Sequence, residues 1–213
     1  KIYSFWSRLA GKSVKRILES QYDRKITILE VGAGTGNGTY NVFENIENVD
    51  NKIEKYVFTD ISKSLLKKVS KSERFSKYDF IEYKVFDLRE EIINQNFEEN
   101  SFDIVLAVNV LHATPDLNKS CQQLYKLVKS NGYVVLGEIS PPEGKLYRYM
   151  ELTFGLLSSY YSFSDKNIRK ICPIVRPDEW IKILKATGFS QVIAIPGKRI
   201  TDCDRGGVII AKK

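Results

Sequence analysis

The run ITILEV, residues 26–31, passes without a break into GAGTGNG, residues 32–38. Six largely apolar and β-branched residues read as a buried strand, and glycines at 32, 34 and 36 allow a sharp turn into a following helix. A buried strand that enters a helix through such a turn belongs to a parallel sheet covered on both faces. The same rhythm recurs along the chain. KYVFTD (55–60), FIEYKVFD (80–87), FDIVLAVNV (102–110) and YVVLGEI (133–139) read as further strands. Helical periodicity places Phe5, Leu9, Val14, Ile17 and Leu18 on one face over 5–20, and predicts helices over 64–73 and over 117–132, the latter closed by Asn131-Gly132. The pattern predicts an α/β doubly wound sheet that binds ligands at the carboxyl ends of its strands. After Pro141-Pro142 the alternation lapses. Residues 145–165 read as helical and aromatic, a helix over 177–189 follows, and the short β runs QVIAIP and GVIIAK finish the chain. Residues 142–175 are therefore expected to insert over the ligand site as a wall or lid.

With 213 residues and 43% hydrophobic content, the chain can bury one substantial core, and residues 1–213 are expected to form a single domain. No apolar run approaches the roughly 20 residues that cross a bilayer, and the first residues lack the pattern of a secretory signal. A cytoplasmic protein with no membrane partner is expected. The opening lysine suggests a chain cut from a longer polypeptide. Cys121, Cys172 and Cys203 are far apart, and there is one histidine, so neither a disulfide framework nor a zinc centre is expected, and no metal is assigned. The net charge of +7 suits an acidic partner or nucleic acid, but the densest basic run, 67–77, holds a single aromatic and reads as solvated surface.

A dinucleotide fingerprint starting at Gly32 would need glycine at 37, where this chain has Asn37, and the Gly-Lys-Ser/Thr ending of a P-loop is missing. What remains is Glu30-x-Gly32-x-Gly34-x-Gly36. Asp60, beside Ile61, ends the second strand 24 residues beyond Gly36, where a carboxylate can accept from ribose hydroxyls. Asp87 ends the third strand and can accept from an adenine amine while Leu88 packs on the ring. Asn109 ends the fourth. Glu30, the three glycines, Asp60, Ile61, Asp87, Leu88 and Asn109 together outline a nucleoside-shaped crevice. Asp60 and Asp87 could instead cap the helices that follow them.

The order EVGAGTG, FTDIS, FDL, NVLHAT, GEI, LTFGLL, two large aromatics and W-x-x-x-L-x-x-x-GF resembles the methyltransferase domains of modular polyketide synthases, over about residues 3–193. The resemblance implies a Rossmann-like, seven-stranded doubly wound sheet whose last strand is antiparallel. It also implies S-adenosylmethionine as methyl donor, S-adenosylhomocysteine as product, an acyl carrier protein bearing a polyketide thioester as partner, and neighbouring synthase domains.

His112, just past strand four, and Glu138, at the end of strand five, correspond to that family's catalytic pair. Imidazole, with an ordinary pKa of about 6.5, can take a proton from the carbon between a ketone and a thioester. Neighbouring strands lie about 4.8 Å apart, close enough for the carboxylate to orient the ring. Phe154, Tyr160 and Tyr161 are expected in the acceptor pocket. Tyr160 and Tyr161, after Ser158 and Ser159, stand where the family usually shows Gly-Trp-Trp. Methylation of the α-carbon of a β-ketoacyl thioester is the expected reaction. O-methylation of a β-hydroxy or enol oxygen, peptide nitrogen methylation, and an inactive structural domain remain as alternatives. The Asn/Asp-Pro-Pro-aromatic motif of amine-methylating nucleic-acid enzymes is absent after strand four, so no nucleic-acid partner is expected.

Overall fold

A computed structural model describes residues 4–21, 23–140, 148–195 and 206–213. Its seven strands are β1 (Ile26–Val31), β2 (Ile53–Asp60), β3 (Ile81–Val85), β4 (Phe102–Val108), β5 (Val128–Ile139), β6 (Gln191–Ile195) and β7 (Gly206–Lys212). They form one sheet in the order β3-β2-β1-β4-β5-β7-β6. Every pairing from β3 to β5 is parallel, and β7 runs antiparallel to both β5 and β6. This is the doubly wound sheet with a reversed last strand that the resemblance implied.

The strand order follows from burial. In β4, Ile104 and Leu106 point into one core with Ile28, Val42 and α1 (Ser4–Gln21), while Val105 and Ala107 point into another with Leu124 and Trp180. A strand apolar on both faces needs a helical layer on each side. The first layer is α1, α2 (Asn37–Asn45), the short α3 (Val49–Lys52) and α4 (Lys63–Ser70); the second is α5 (Leu117–Leu127) and α7 (Pro177–Thr187), with α6 (Arg148–Phe154) between them in the chain. Each fully buried aliphatic side chain contributes about 1.5–3 kcal/mol. Among the described residues no helix is long and apolar enough to cross a membrane.

Three expectations need correction. Along α1 the expected Val14, Ile17 and Leu18 are buried, but Trp6 and Ala10 continue the stripe in place of Phe5, which is 40% exposed, and Leu9, which is half-buried. Helix α5 stops at Leu127, because the Lys126 and Leu127 carbonyls accept from Asn100 and Ser101 and draw Val128 into the sheet beside Phe102. The Asn131-Gly132 turn then lies within β5, where Asn131 has φ 64°. Among the described residues of 145–165, helix is confined to α6. Beyond it, carbonyls of Glu151, Phe154 and Leu157 accept from Gly155, Leu157 and Tyr160 in successive turns. Pro141, Pro142, Pro196, Cys203 and the opening of the expected insertion lie outside the described residues.

Candidate active site

The glycine turn sits between β1 and α2. Gly32, Gly34 and Gly36 have φ of 61°, 58° and 82°, a region costly for residues with a side chain. Packing closes the turn at both ends: a Cβ at Gly32 would lie 2.7 Å from Val110, and one at Gly36 2.5 Å from the Phe75 ring. At Gly34 the nearest atom would be 3.9 Å away. The middle of the turn is thus open to a ligand. Asp60, at the end of β2, accepts from the Gly34 N–H at 3.0 Å and from the Ser62 N–H at 2.9 Å. It does not cap α4, because Ser62 does so by accepting from Leu65. Each Asp60 oxygen keeps a lone pair for a further donor, and Ile61 beside it is 62% exposed.

Glu30 is fully buried and turned away from this opening. Its Oε2 accepts from the hydroxyls of Thr39 and Tyr56, and burial pushes its pKa up to about 7. It supports the start of α2 from below. Asp87 is engaged by Arg89, which donates from its guanidinium at 2.6 Å and from its backbone at 2.9 Å; these bonds hold the carboxyl below its ordinary range. The backbone bond makes it a local turn cap. Leu88 is 4% exposed and packs in the core.

At the end of β4, Val108 pairs with Gly137, and the Asn109 N–H donates to the Gly137 carbonyl at 2.6 Å. Asn109 has φ 62°, which turns the chain out of the strand into a 3-10 turn, Leu111–Ala113. That turn carries His112 back over Glu138. One Glu138 oxygen accepts from the N–H groups of Val110 at 3.0 Å and Leu111 at 2.8 Å. The other lies 2.8 Å from His112 Nδ1. The Glu138 side chain is 0% exposed and that of His112 18%. A carboxylate oxygen accepts, so Nδ1 is the donor of this pair, and Nε2 has no partner among the described residues.

Residues in the later part of the expected insertion, beyond α6, grip this turn from outside. Arg169, buried, donates to the carbonyls of His112 at 3.1 Å and Pro115 at 2.9 Å and pairs with Asp165 at 2.7 Å. Asp165 in turn accepts from the Leu117 N–H, starting α5. Neither residue stood out in the sequence, because nothing local distinguishes DKNIRKI from an ordinary charged surface segment. A cavity of about 300 Å³ opens beside the pair, its wall including Asn109, His112, Met150, Phe154, Tyr160 and Ile174. Tyr161 is not in that wall; it is 45% exposed and packs edge-on against Tyr160 at 4.8 Å.

Residues 29–134 match a family described as a methyltransferase domain. Methyltransferase calH of Penicillium decumbens is 36% identical over 196 residues, which cover 90% of this chain and 52% of that protein. The highly reducing polyketide synthase FUM1 of Gibberella moniliformis is 36% identical over 168 residues, 78% of this chain but 6% of the synthase. The chain belongs to the methyltransferase domain family.

Solved structures agree with that placement. The methyltransferase domain superposes on the CurJ carbon methyltransferase with a TM-score of 0.84 and 31% identity, covering 97% of this chain and 53% of that one. The CalH trans-methyltransferase, solved with S-adenosylhomocysteine, gives 0.81 and 28%, covering 99% and 57%. The domain therefore spans about half the length of its solved neighbours.

Proposed function

We propose that this methyltransferase domain transfers a methyl group from S-adenosylmethionine to the α-carbon of a β-ketoacyl thioester held on an acyl carrier protein, as one domain among neighbouring synthase domains. The names of its relatives support the polyketide class. The open turn at Gly34, the spare lone pairs of Asp60 and the exposed Ile61 fit the nucleoside end of the donor. Asn109 lines the acceptor cavity at the end of β4, which supports a place for it near the transferred methyl group. Asp87 and Leu88 would serve the adenine only if Asp87 shared its carboxylate with Arg89 and Leu88 left part of its packing. When bound, S-adenosylmethionine supplies a sulfonium-activated methyl group and S-adenosylhomocysteine remains as product.

The domain's own residues generate the nucleophile. His112 Nε2 takes the α-proton, and the carbanion's charge is delocalised over the acceptor's two carbonyl groups. Glu138 stabilises the imidazolium through Nδ1, while the Val110 and Leu111 N–H groups hold the carboxylate in register. The mainly apolar cavity suits an acyl chain and keeps water from competing for the base. One observation carries the reading: His112, in the wall of that cavity, has its Nδ1 2.8 Å from Oε2 of the buried Glu138 behind it.

The test is to present β-ketoacyl and β-hydroxyacyl carrier proteins with S-adenosylmethionine and locate the added methyl by mass spectrometry. A methyl on the α-carbon is expected. A methyl on oxygen assigns the alternative reaction, and a protein with no calorimetric affinity for S-adenosylmethionine is a structural spacer.

A further inference from the structure

The acceptor cavity holds a polar atom that the base chemistry leaves unused. Tyr160 lines the cavity, and its hydroxyl oxygen is buried without a hydrogen-bond partner among the described residues. Its backbone is fixed by one bond and its ring by one neighbour. The Tyr160 N–H donates to the Leu157 carbonyl at 3.0 Å, and the Tyr161 ring stands at 89° to it, 4.8 Å away. Tyr161 in turn packs on Gly155, where an added Cβ would come within 3.0 Å of its hydroxyl. The hydroxyl is thus positioned by packing rather than by any bond of its own. Burial pushes the phenol well above its ordinary pKa, so at neutral pH it carries its proton and can donate.

An orphaned hydroxyl costs stability unless a ligand completes it. Much of the wall around it, Met150, Phe154, Leu157 and Ile174, is apolar and cannot. From this juxtaposition of a fixed, unpartnered donor and an apolar acyl cavity, we infer that Tyr160 is a specificity-determining residue whose hydroxyl donates to an oxygen on the acyl chain of the acceptor. The inference rests on the acyl-acceptor reading above and narrows it: the preferred chain carries a hydroxyl or carbonyl at one depth in the cavity and is not a plain alkyl chain. Hydrogen-bonding sites discriminate strongly against analogues that leave them unpaired, whereas apolar pockets discriminate weakly.

The experiment measures dissociation constants for pantetheine thioesters of one chain length, either saturated throughout or bearing a hydroxyl at C3, C4 or C5. Each is titrated into the full 213-residue chain with S-adenosylhomocysteine present. One oxygenated thioester is expected to bind the wild type about tenfold or more tightly than the plain one. Tyr160→Phe, which keeps the ring and its packing, should bring that ratio near one. Tyr161→Phe, outside the cavity wall, should leave it as in the wild type. A wild type with no preference at any position, or a preference that survives in Tyr160→Phe, overturns the role of Tyr160 and leaves the acyl-acceptor reading standing. A protein that binds S-adenosylhomocysteine but none of the thioesters overturns both.

Discussion

At the amino end of β4, Asp103 receives Arg24 at 2.6 Å, the Thr27 N–H at 2.8 Å, the Thr27 hydroxyl at 2.9 Å and Lys129 at 3.1 Å. Beyond its carboxyl end, Glu138 on the adjacent strand receives two backbone N–H groups and an imidazole. Both carboxylates are buried, yet their surroundings differ in kind. Around Asp103 the lone pairs are filled: burial pushes its pKa up, but the Arg24, Thr27 and Lys129 bonds outweigh this and hold it at about 2. Around Glu138 the accounting is incomplete. Asn109 Oδ1 and Tyr160 Oη are buried without partners among the described residues. A buried polar atom without a partner is costly unless a ligand completes it. One end of the strand is saturated with partners inside the protein, and the other leaves buried polar atoms facing the cavity unpaired.

The contrast can be broken most severely at the dyad. Glu138→Gln keeps the volume but presents an amide to Nδ1 or to the backbone donors, so the ring loses its stabilised tautomer. Turnover should fall by about 10²–10⁴, the scale of a lost or misdirected general base, with donor affinity retained in calorimetry. His112→Ala should match it. Retained turnover in either variant removes the dyad from the mechanism.

Glu30 gives the next largest effect and extends the comparison to stability. Its pKa is raised from 4.5 to about 7, so folding favours the protonated form. The stabilisation from this group is complete below pH 4.5 and is lost as pH rises through about 7. The raised pKa corresponds to at most about 3 kcal/mol. Denaturant midpoints of Glu30→Gln should therefore decline less than those of the wild type between pH 4.5 and 7.5. Parallel profiles would mean that Glu30 is ionised throughout.

Asp103 works with the opposite sign: its depressed pKa stabilises the fold above pH 3.8, and this contribution is lost as pH falls toward 2. Asp103→Ala should lower stability by about 2 kcal/mol in urea titrations, since Arg24 and Lys129 are partly exposed and can be solvated. Methyl transfer by the folded protein should not change. A loss of turnover without a loss of stability would erase the distinction between the two ends.

The smallest expected change is at Asp60. Asp60→Ala removes its bond to the Gly34 N–H and a candidate ribose acceptor, and should weaken S-adenosylmethionine binding about tenfold. Unchanged affinity would confine Asp60 to bracing the turn.

What could be read from the sequence follows from range. ITILEV became β1 over the residues quoted, and the glycine turn after it was recognisable, because strand alternation and glycine's freedom act over a few neighbours. Helix α5 was overextended for the converse reason. LVKSNG has no local signal that the distant Asn100 and Ser101 N–H groups would bind the Lys126 and Leu127 carbonyls and bring Val128 beside Phe102. The sequence placed Phe154, Tyr160 and Tyr161 together, but only packing separated the two tyrosines, one in the cavity wall and one outside it.

By itself the sequence determined the alternation that makes a doubly wound sheet, the glycine turn that leaves room over Gly34, and the position of the lone imidazole at a strand end. Tertiary structure decided which nitrogen of His112 faces Glu138, that Arg169 braces the turn across 57 positions, and that Glu30 turns inward. The reason is physical. Periodicity and turn chemistry depend on adjacent residues, whereas the partners of a buried charge depend on which strands become neighbours and how deeply their ends are covered.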